Sequence, residues 1–315
     1  MNIVKHIDRE TIRKALPYAR WLKMVEKAVM LKEGKDYIMP ERAHIDFDND
    51  TLLVMPCISG NYFSSKIITL FPGNTAKGKE RLKGLVILND RNDGEALAIL
   101  DGPSITAMRT AAVGGFAVRH LSPPGSSRLG IIGLGIQGLH QALFACSQRE
   151  IGEITVFDKN EASYPVFSRQ FKLEYPGITI NTAVNSRQVC EKSDIIITAT
   201  DSTKPVLPDD AELLEGKTII GIGSYKKEMR EFPDSLYSLA GKVYVDTVHG
   251  IRESGDLIHP LSKGILEKAD ILEAGDLLRG EKPRGSTRIF KSVGSALFDL
   301  LASVMVYETL YMQKK

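Results

Sequence analysis

The stretch Arg128-Leu-Gly-Ile-Ile132, followed at once by Gly133-Leu-Gly135-Ile-Gln-Gly138, decides the fold. A short β-branched run ending in a glycine-rich turn, with helical spacing beyond it, is the entrance to a βαβ unit. In such a turn the first glycine permits the bend and the second lets backbone approach a pyrophosphate. The third allows close helix–strand packing. Gly133, Gly135 and Gly138 fill these positions, with Ile136 and Gln137 at the start of the helix, where the positive end of its dipole favours phosphate. A lone glycine motif is weak. Here a strand precedes it, a helix follows, and a second strand, Ile154–Phe157, ends in Asp158, twenty residues beyond Gly138. A carboxylate there accepts hydrogen bonds from ribose hydroxyls and repels a 2′-phosphate. NAD(H) is therefore the favoured cofactor; NADP(H) stays open because Lys159 adjoins the acid.

Working outward, the texture downstream alternates strand with helix. Strands are expected at Ile178–Ala183, Asp194–Thr200, Lys217–Gly223 and Lys242–Asp246, and a helix at Glu161–Leu173. This spacing indicates a doubly wound parallel sheet of Rossmann type. Thr200, closing one of these strands, is a further cofactor-side candidate. Upstream lies the seam Leu121-Ser-Pro-Pro-Gly-Ser-Ser127, where two prolines cannot continue a helix. The region before it is mixed. Thr11–Leu31 reads as one or two helices, strands are expected at Thr51–Pro56, Ser65–Leu70, Gly84–Asn89 and Leu97–Asp101, and an Ala-rich helix runs from Ser104 to His120. The apolar stretch Ser295–Tyr311 must pack on something and is expected to return to this first region. The organisation is thus α/β: an α+β domain of residues 1–121 plus 295–315, and a dinucleotide domain of residues 122–294.

Composition excludes several classes. With 41 basic against 39 acidic residues, there is no electrostatic case for nucleic acid. No run of about eighteen apolar residues proposes a membrane span. The N-terminus is charged and lacks a signal-peptide core, and the three cysteines are few and scattered, so a cytoplasmic protein with free thiols is expected. The histidines, His44 and His249 among them, lack metal-ligand spacing, and no metal is expected.

The flanking blocks carry a resemblance. Pro40-Glu-Arg42, Met55-Pro56, Lys66-Ile-Ile-Thr69 to Pro72-Gly-Asn74, Leu100-Asp-Gly102 and Arg109-Thr-Ala-Ala112 occur in that order. Beyond the glycine turn come Glu253-Ser-Gly-Asp-Leu257 and Phe290-Lys-Ser-Val-Gly294. Over essentially the whole chain this pattern resembles the ornithine cyclodeaminase/μ-crystallin family. The resemblance implies that Arg42, Lys66 and Arg109 hold a substrate α-carboxylate, that Ser292, Val293 and Gly294 form the loop nearing nicotinamide and substrate, and that the protein is a homodimer built through the first domain. The residue types suit the task. Arginine grips a carboxylate with a planar fork, and a buried lysine can also manage a proton. Arg109 is notable on its own, because it interrupts an apolar helix where an unpaired charge is costly.

The departure lies in Gly221-Ile-Gly-Ser-Tyr225-Lys-Lys-Glu228. True cyclodeaminases resemble Gly-Gly-Asp here, and Tyr225 falls at the aspartate; a phenol is neutral near pH 7 and cannot pair an ammonium group. Glu228 is the alternative acid. The reading that follows is hydride transfer to the C=N carbon of a small cyclic imino acid, Δ1-pyrroline-2-carboxylate or its piperideine analogue, with Lys66 as the catalytic candidate and Tyr225 and Gly294 on the substrate side. Ornithine cyclodeamination, an alanine-type or N-alkyl amino-acid dehydrogenase, and a non-catalytic NAD(P)H-dependent binding protein remain as alternatives.

Overall fold

The computed structural model describes residues 3–280 and 285–312. The chain divides into two compact units: residues up to Arg109 together with those from Ser295 onward, and Thr110–Gly294. The long helix Gly102–Leu121 opens in the first unit and runs into the second.

In the first unit β1 (Lys5–Ile7), β2 (Ala43–Phe47), β3 (Asp50–Ser59), β4 (Tyr62–Leu70), β5 (Leu82–Asp90) and β6 (Ala96–Asp101) form one sheet in the order β1-β6-β5-β4-β3-β2. Only β1 runs parallel to its neighbour; the other pairings are antiparallel. In β3 inward and outward residues alternate along the whole strand, the period-two pattern of a sheet with one packed face. The turn from β5 to β6 uses Asp93, whose carboxylate accepts from Glu95 N at 2.9 Å, and Gly94 at φ +80°. The helices Tyr18–Gly34 and Ala296–Tyr311 pack on each other, and the latter also lies against β3 and β4. Ten of its residues are buried, including the acid Asp299.

In the second unit β7 (Arg128–Ile132), β8 (Glu153–Phe157), β9 (Thr179–Thr182), β10 (Ile195–Thr198), β11 (Thr218–Gly221), β12 (Val243–Val245), β13 (Ile271–Glu273) and β14 (Arg288–Lys291) form an all-parallel sheet, in the order β13-β12-β14-β11-β10-β7-β8-β9. Chain order reverses between β7 and β10, the switch point where ligands of open α/β sheets bind. All four residues of β10 and of β11 are buried, as strands covered on both faces must be. The helix after the glycine turn spans Ile136–Cys146.

Four strands are absent from the sequence reading. β1 (Lys-His-Ile) and β13 (Ile-Leu-Glu) are short and interrupted by polar residues, whereas β12, equally short, is Val-Tyr-Val throughout. β2 is exposed throughout, so it has no apolar alternation. β14 has four residues yet sits inside the sheet between β11 and β12, where position rather than pattern makes it a strand.

Candidate functional site

In the second unit the glycine turn leaves β7 and is held from the neighbouring strand. Gly133 N donates to Phe157 O at 2.9 Å, and Leu134 N donates to Asp158 Oδ2 at 2.7 Å. Asp158 Oδ1 accepts from Asn160 N at 2.8 Å, while the Tyr164 hydroxyl lies 2.9 Å from Asp158 N. The acid expected to meet a ribose therefore also clamps the turn, and each oxygen keeps a second lone pair for a ligand. Gly133 sits at φ +95°, and a Cβ on Gly138 would stand 1.9 Å from Gly133 O. Gly135 differs. A Cβ there would meet nothing within 4 Å, so packing within the chain does not require glycine. Gly135 is also the N-cap of the helix Ile136–Cys146 and supplies no side-chain cap, leaving that helix's first N–H groups facing an open, exposed place. Open space at the second glycine and an uncapped helix N-terminus fit a pyrophosphate.

Two buried carboxylates, neither given a site role by the sequence, organise the loops at the carboxyl ends of the strands. Glu231 Oε1 accepts from Thr200 N at 2.7 Å and Thr200 Oγ1 at 2.9 Å, and its Oε2 accepts from Gly223 N at 2.8 Å. One acid thus ties the loop after β10 to the loop after β11. Glu231 N in turn donates to Asp256 Oδ1 at 2.7 Å, and Lys291 Nζ lies 3.1 Å from Asp256 Oδ2 and 3.8 Å from Glu231 Oε2. All three side chains are fully buried. Burial pushes the Glu231 carboxyl up; the Lys291 charge pulls it down and the Asp256 charge pushes it up again. The second carboxylate is Asp246. It accepts from Ser292 Oγ at 2.6 Å, Val293 N at 3.1 Å and Gly294 N at 2.8 Å, fixing the segment that follows Lys291 on β14. Gly294 is held at φ +81°. Removing one member of a buried ion network strands the others without compensation. Glu231→Ala is accordingly expected to destabilise the protein by about 3–5 kcal/mol, read by urea denaturation.

Tyr225 is half-buried in the loop after β11. Glu228 points outward, its side chain 59% exposed and 3.9 Å from Lys227 Nζ.

In the first unit Lys66 occupies an inward position of β4, paired with Met55 on β3 and Val86 on β5. It is 2% exposed, and Arg109 is 5% exposed. Both converge on Asp299: Lys66 Nζ lies 2.6 Å from Oδ2, and Arg109 Nε donates to Oδ1 at 3.0 Å. Arg109 Nη1 is buried and finds no hydrogen-bond partner among the described residues. Burial pulls the Lys66 ammonium down to about 8; Asp299 pulls it upward, and the charges of Arg109 and Arg42 push it lower. Arg42 is half-buried just before β2. Two cations around one carboxylate leave a surplus positive charge and an unused guanidinium donor, the requirements for an incoming anion. Asp299 is the residue the sequence reading missed here, although a lone acid in the apolar run Ala296–Tyr311 is the same signal that marked Arg109.

A parallel sheet with a glycine turn at its switch point and an uncapped helix behind it defines a Rossmann-type, dinucleotide-binding protein. The chain belongs to the ornithine cyclodeaminase/mu-crystallin family, whose profile matches residues 6–314. A Δ1-pyrroline-2-carboxylate reductase of Bacillus cereus (strain ZK / E33L) is 32% identical over 283 residues, covering 86% of each chain. Among solved structures, Thermococcus litoralis Δ1-pyrroline-2-carboxylate reductase in complex with NADH and L-proline is similar with a TM-score of 0.91, at 30% identity and 98% coverage of both chains. An archaeal alanine dehydrogenase dimer with bound NAD gives a TM-score of 0.89 at 28% identity, covering 98% of this chain and 97% of that one. Among the described residues no helix is long and apolar enough to cross a membrane.

Proposed function

We propose that this NAD(P)-dependent oxidoreductase reduces a small cyclic imino acid, Δ1-pyrroline-2-carboxylate to proline or the six-membered analogue. The observation that carries the reading is the buried pair Lys66 and Arg109, with one carboxylate between them and Arg109 Nη1 unused. A monocarboxylate substrate supplies the missing charge and acceptor. Arg42, Lys66 and Arg109 anchor it; Tyr225 and Gly294 are the substrate-side candidates of the second unit. Gly133, Gly135, Ile136, Gln137, Gly138, Asp158, Thr200, Ser292 and Val293 hold the cofactor. A nicotinamide dinucleotide, when bound, supplies the hydride. Positioning is the main contribution of the protein, since a protonated imine is already electrophilic. Lys66, its ammonium drawn down to about 8, is the group suited to hold or release a proton near the imine nitrogen. The first unit serves the substrate and dimer formation, and the second serves the cofactor.

Ornithine cyclodeamination fits less well, because Tyr225 is a phenol and Glu228, the substitute acid, is exposed. The likeness to alanine dehydrogenase favours one second reading, reductive amination of an open-chain 2-oxo acid. The test follows loss of reduced-nicotinamide absorbance with NADH or NADPH and Δ1-pyrroline-2-carboxylate, beside pyruvate plus ammonia and an ammonia-release assay with L-ornithine. Rapid oxidation with the imine, faster with NADH, is expected. Turnover with pyruvate and ammonia alone moves the assignment to the dehydrogenase, and ammonia from ornithine overturns it.

A further inference from the structure

We infer that Asp299 is a positioning residue for this reaction: it aligns Lys66 with Arg109 and keeps Lys66 a cation, so that the site meets a substrate carboxylate with its charge in place. The inference rests on the proposed function and concerns a residue buried on the helix Ala296–Tyr311, which packs on β3 and β4. Its two carboxylate oxygens are divided between two cations, Oδ2 toward Lys66 at 2.6 Å and Oδ1 toward Arg109 Nε at 3.0 Å. Binding through Nε orients the guanidinium and leaves Nη1 for a ligand. Without Asp299, Lys66 would have Met55 and Val86 on either side and the like charges of Arg109 and Arg42 nearby, surroundings that all favour the neutral amine.

The other groups near this cluster do not substitute for it. From β3 comes Cys57, whose thiol burial pushes up to about 12 and so keeps uncharged. The helix Tyr18–Gly34 brings Lys32, whose Nζ lies 5.1 Å from the Phe298 ring centroid and adds only positive charge. From β5 come Val86 and Leu88, which carry none.

The sign follows from these charges. The anchoring ammonium of Lys66 is present below about 8 and disappears as pH rises through that value. Removing the Asp299 charge lowers that point further, because an opposite charge favours the ionised form. The experiment compares pH profiles of kcat/KM for imine reduction in the wild type and in Asp299→Asn, Asp299→Glu and Lys66→Arg, all with one cofactor and one substrate. Titration of the substrate itself is then common to every curve. The alkaline limb of Asp299→Asn is expected to move acid-ward by at least about one pH unit, with KM raised roughly tenfold at neutral pH. Asp299→Glu keeps the limb and still raises KM, and Lys66→Arg abolishes the limb near 8. A limb unmoved in Asp299→Asn but absent in Lys66→Arg overturns the role of Asp299 alone. A limb that survives in Lys66→Arg overturns Lys66 as its source, and the inference with it. If Asp299→Asn does not fold, as its melting curve will report, Asp299→Glu decides: KM and limb both unchanged mean that carboxylate placement is immaterial.

Discussion

Arg109→Met is expected to lower kcat/KM for the cyclic imine by about 3–4 kcal/mol, roughly 100- to 1,000-fold, with most of the loss in KM. The guanidinium is buried, its Nε is committed to Asp299, and Nη1 is a donor that finds no hydrogen-bond partner among the described residues. Removing it deletes a charge-assisted contact to the substrate carboxylate in ground and transition states alike, which is why KM bears the effect. The fold should tolerate the change. Asp299 keeps Lys66 at 2.6 Å, so one buried ion pair remains balanced after the second cation has gone. Removing one partner of a buried ion cluster costs up to about 3–5 kcal/mol where the remaining charge is left uncompensated, and the loss here is expected to stay below that because Lys66 still faces Asp299. NADH affinity, set in the second unit, is expected to stay within about twofold, since sites without shared partners behave independently. Steady-state kinetics beside a fluorescence titration of NADH test all three statements, and an unaltered KM would remove Arg109 from the carboxylate site.

Arg109 stands out in the sequence and Asp299 does not, and the contrast shows where sequence reasoning loses hold. A charge inside an apolar helix announces that it has a partner but not which one. Asp299 stands 190 residues further along the chain. Only the return of the helix Ala296–Tyr311 onto β4 brings it to Lys66. The facing of Lys66 is in principle legible, since Ser64, Lys66 and Ile68 alternate inward along β4, but a lysine in an alternating strand ordinarily marks the outer face. The Rossmann sheet is readable because β7, β8 and β10 are apolar, β-branched and separated by helical lengths. β14 is not, because Arg288 and Lys291 leave only Ile289 and Phe290 as an apolar run and its place beside β11 is decided by packing. Glu231 and Asp246 escape for a related reason. Glu231 lies in a charged loop and Asp246 at the end of an apolar strand, and what distinguishes each is the set of backbone N–H groups it collects, a property of folded geometry.

The glycine turn offers a sharper separation of stability from binding. Gly135→Ala adds a methyl group where nothing stands within 4 Å, at φ −71°, a value any residue adopts. The apoprotein should therefore melt as the wild type does, or slightly higher, because alanine narrows the unfolded ensemble by about 0.4–1 kcal/mol. Dinucleotide affinity should fall by about 100-fold, close to 3 kcal/mol, because the methyl takes the space through which backbone meets pyrophosphate. Gly138→Ala should behave differently. Its Cβ would lie 1.9 Å from Gly133 O and 3.0 Å from Gly133 C, both backbone atoms that cannot rotate aside. The turn must shift, at a cost of about 1–3 kcal/mol or more in stability, and cofactor binding is lost with it. Thermal melts and NADH titrations on the two variants distinguish the cases. A Gly135→Ala protein that binds NADH as the wild type does would mean that the pyrophosphate does not rest on this turn. A Gly138→Ala protein of unchanged stability would mean that the turn relaxes more freely than its contacts with β8 imply, because Gly133 N and Leu134 N are both pinned there, to Phe157 O and Asp158 Oδ2.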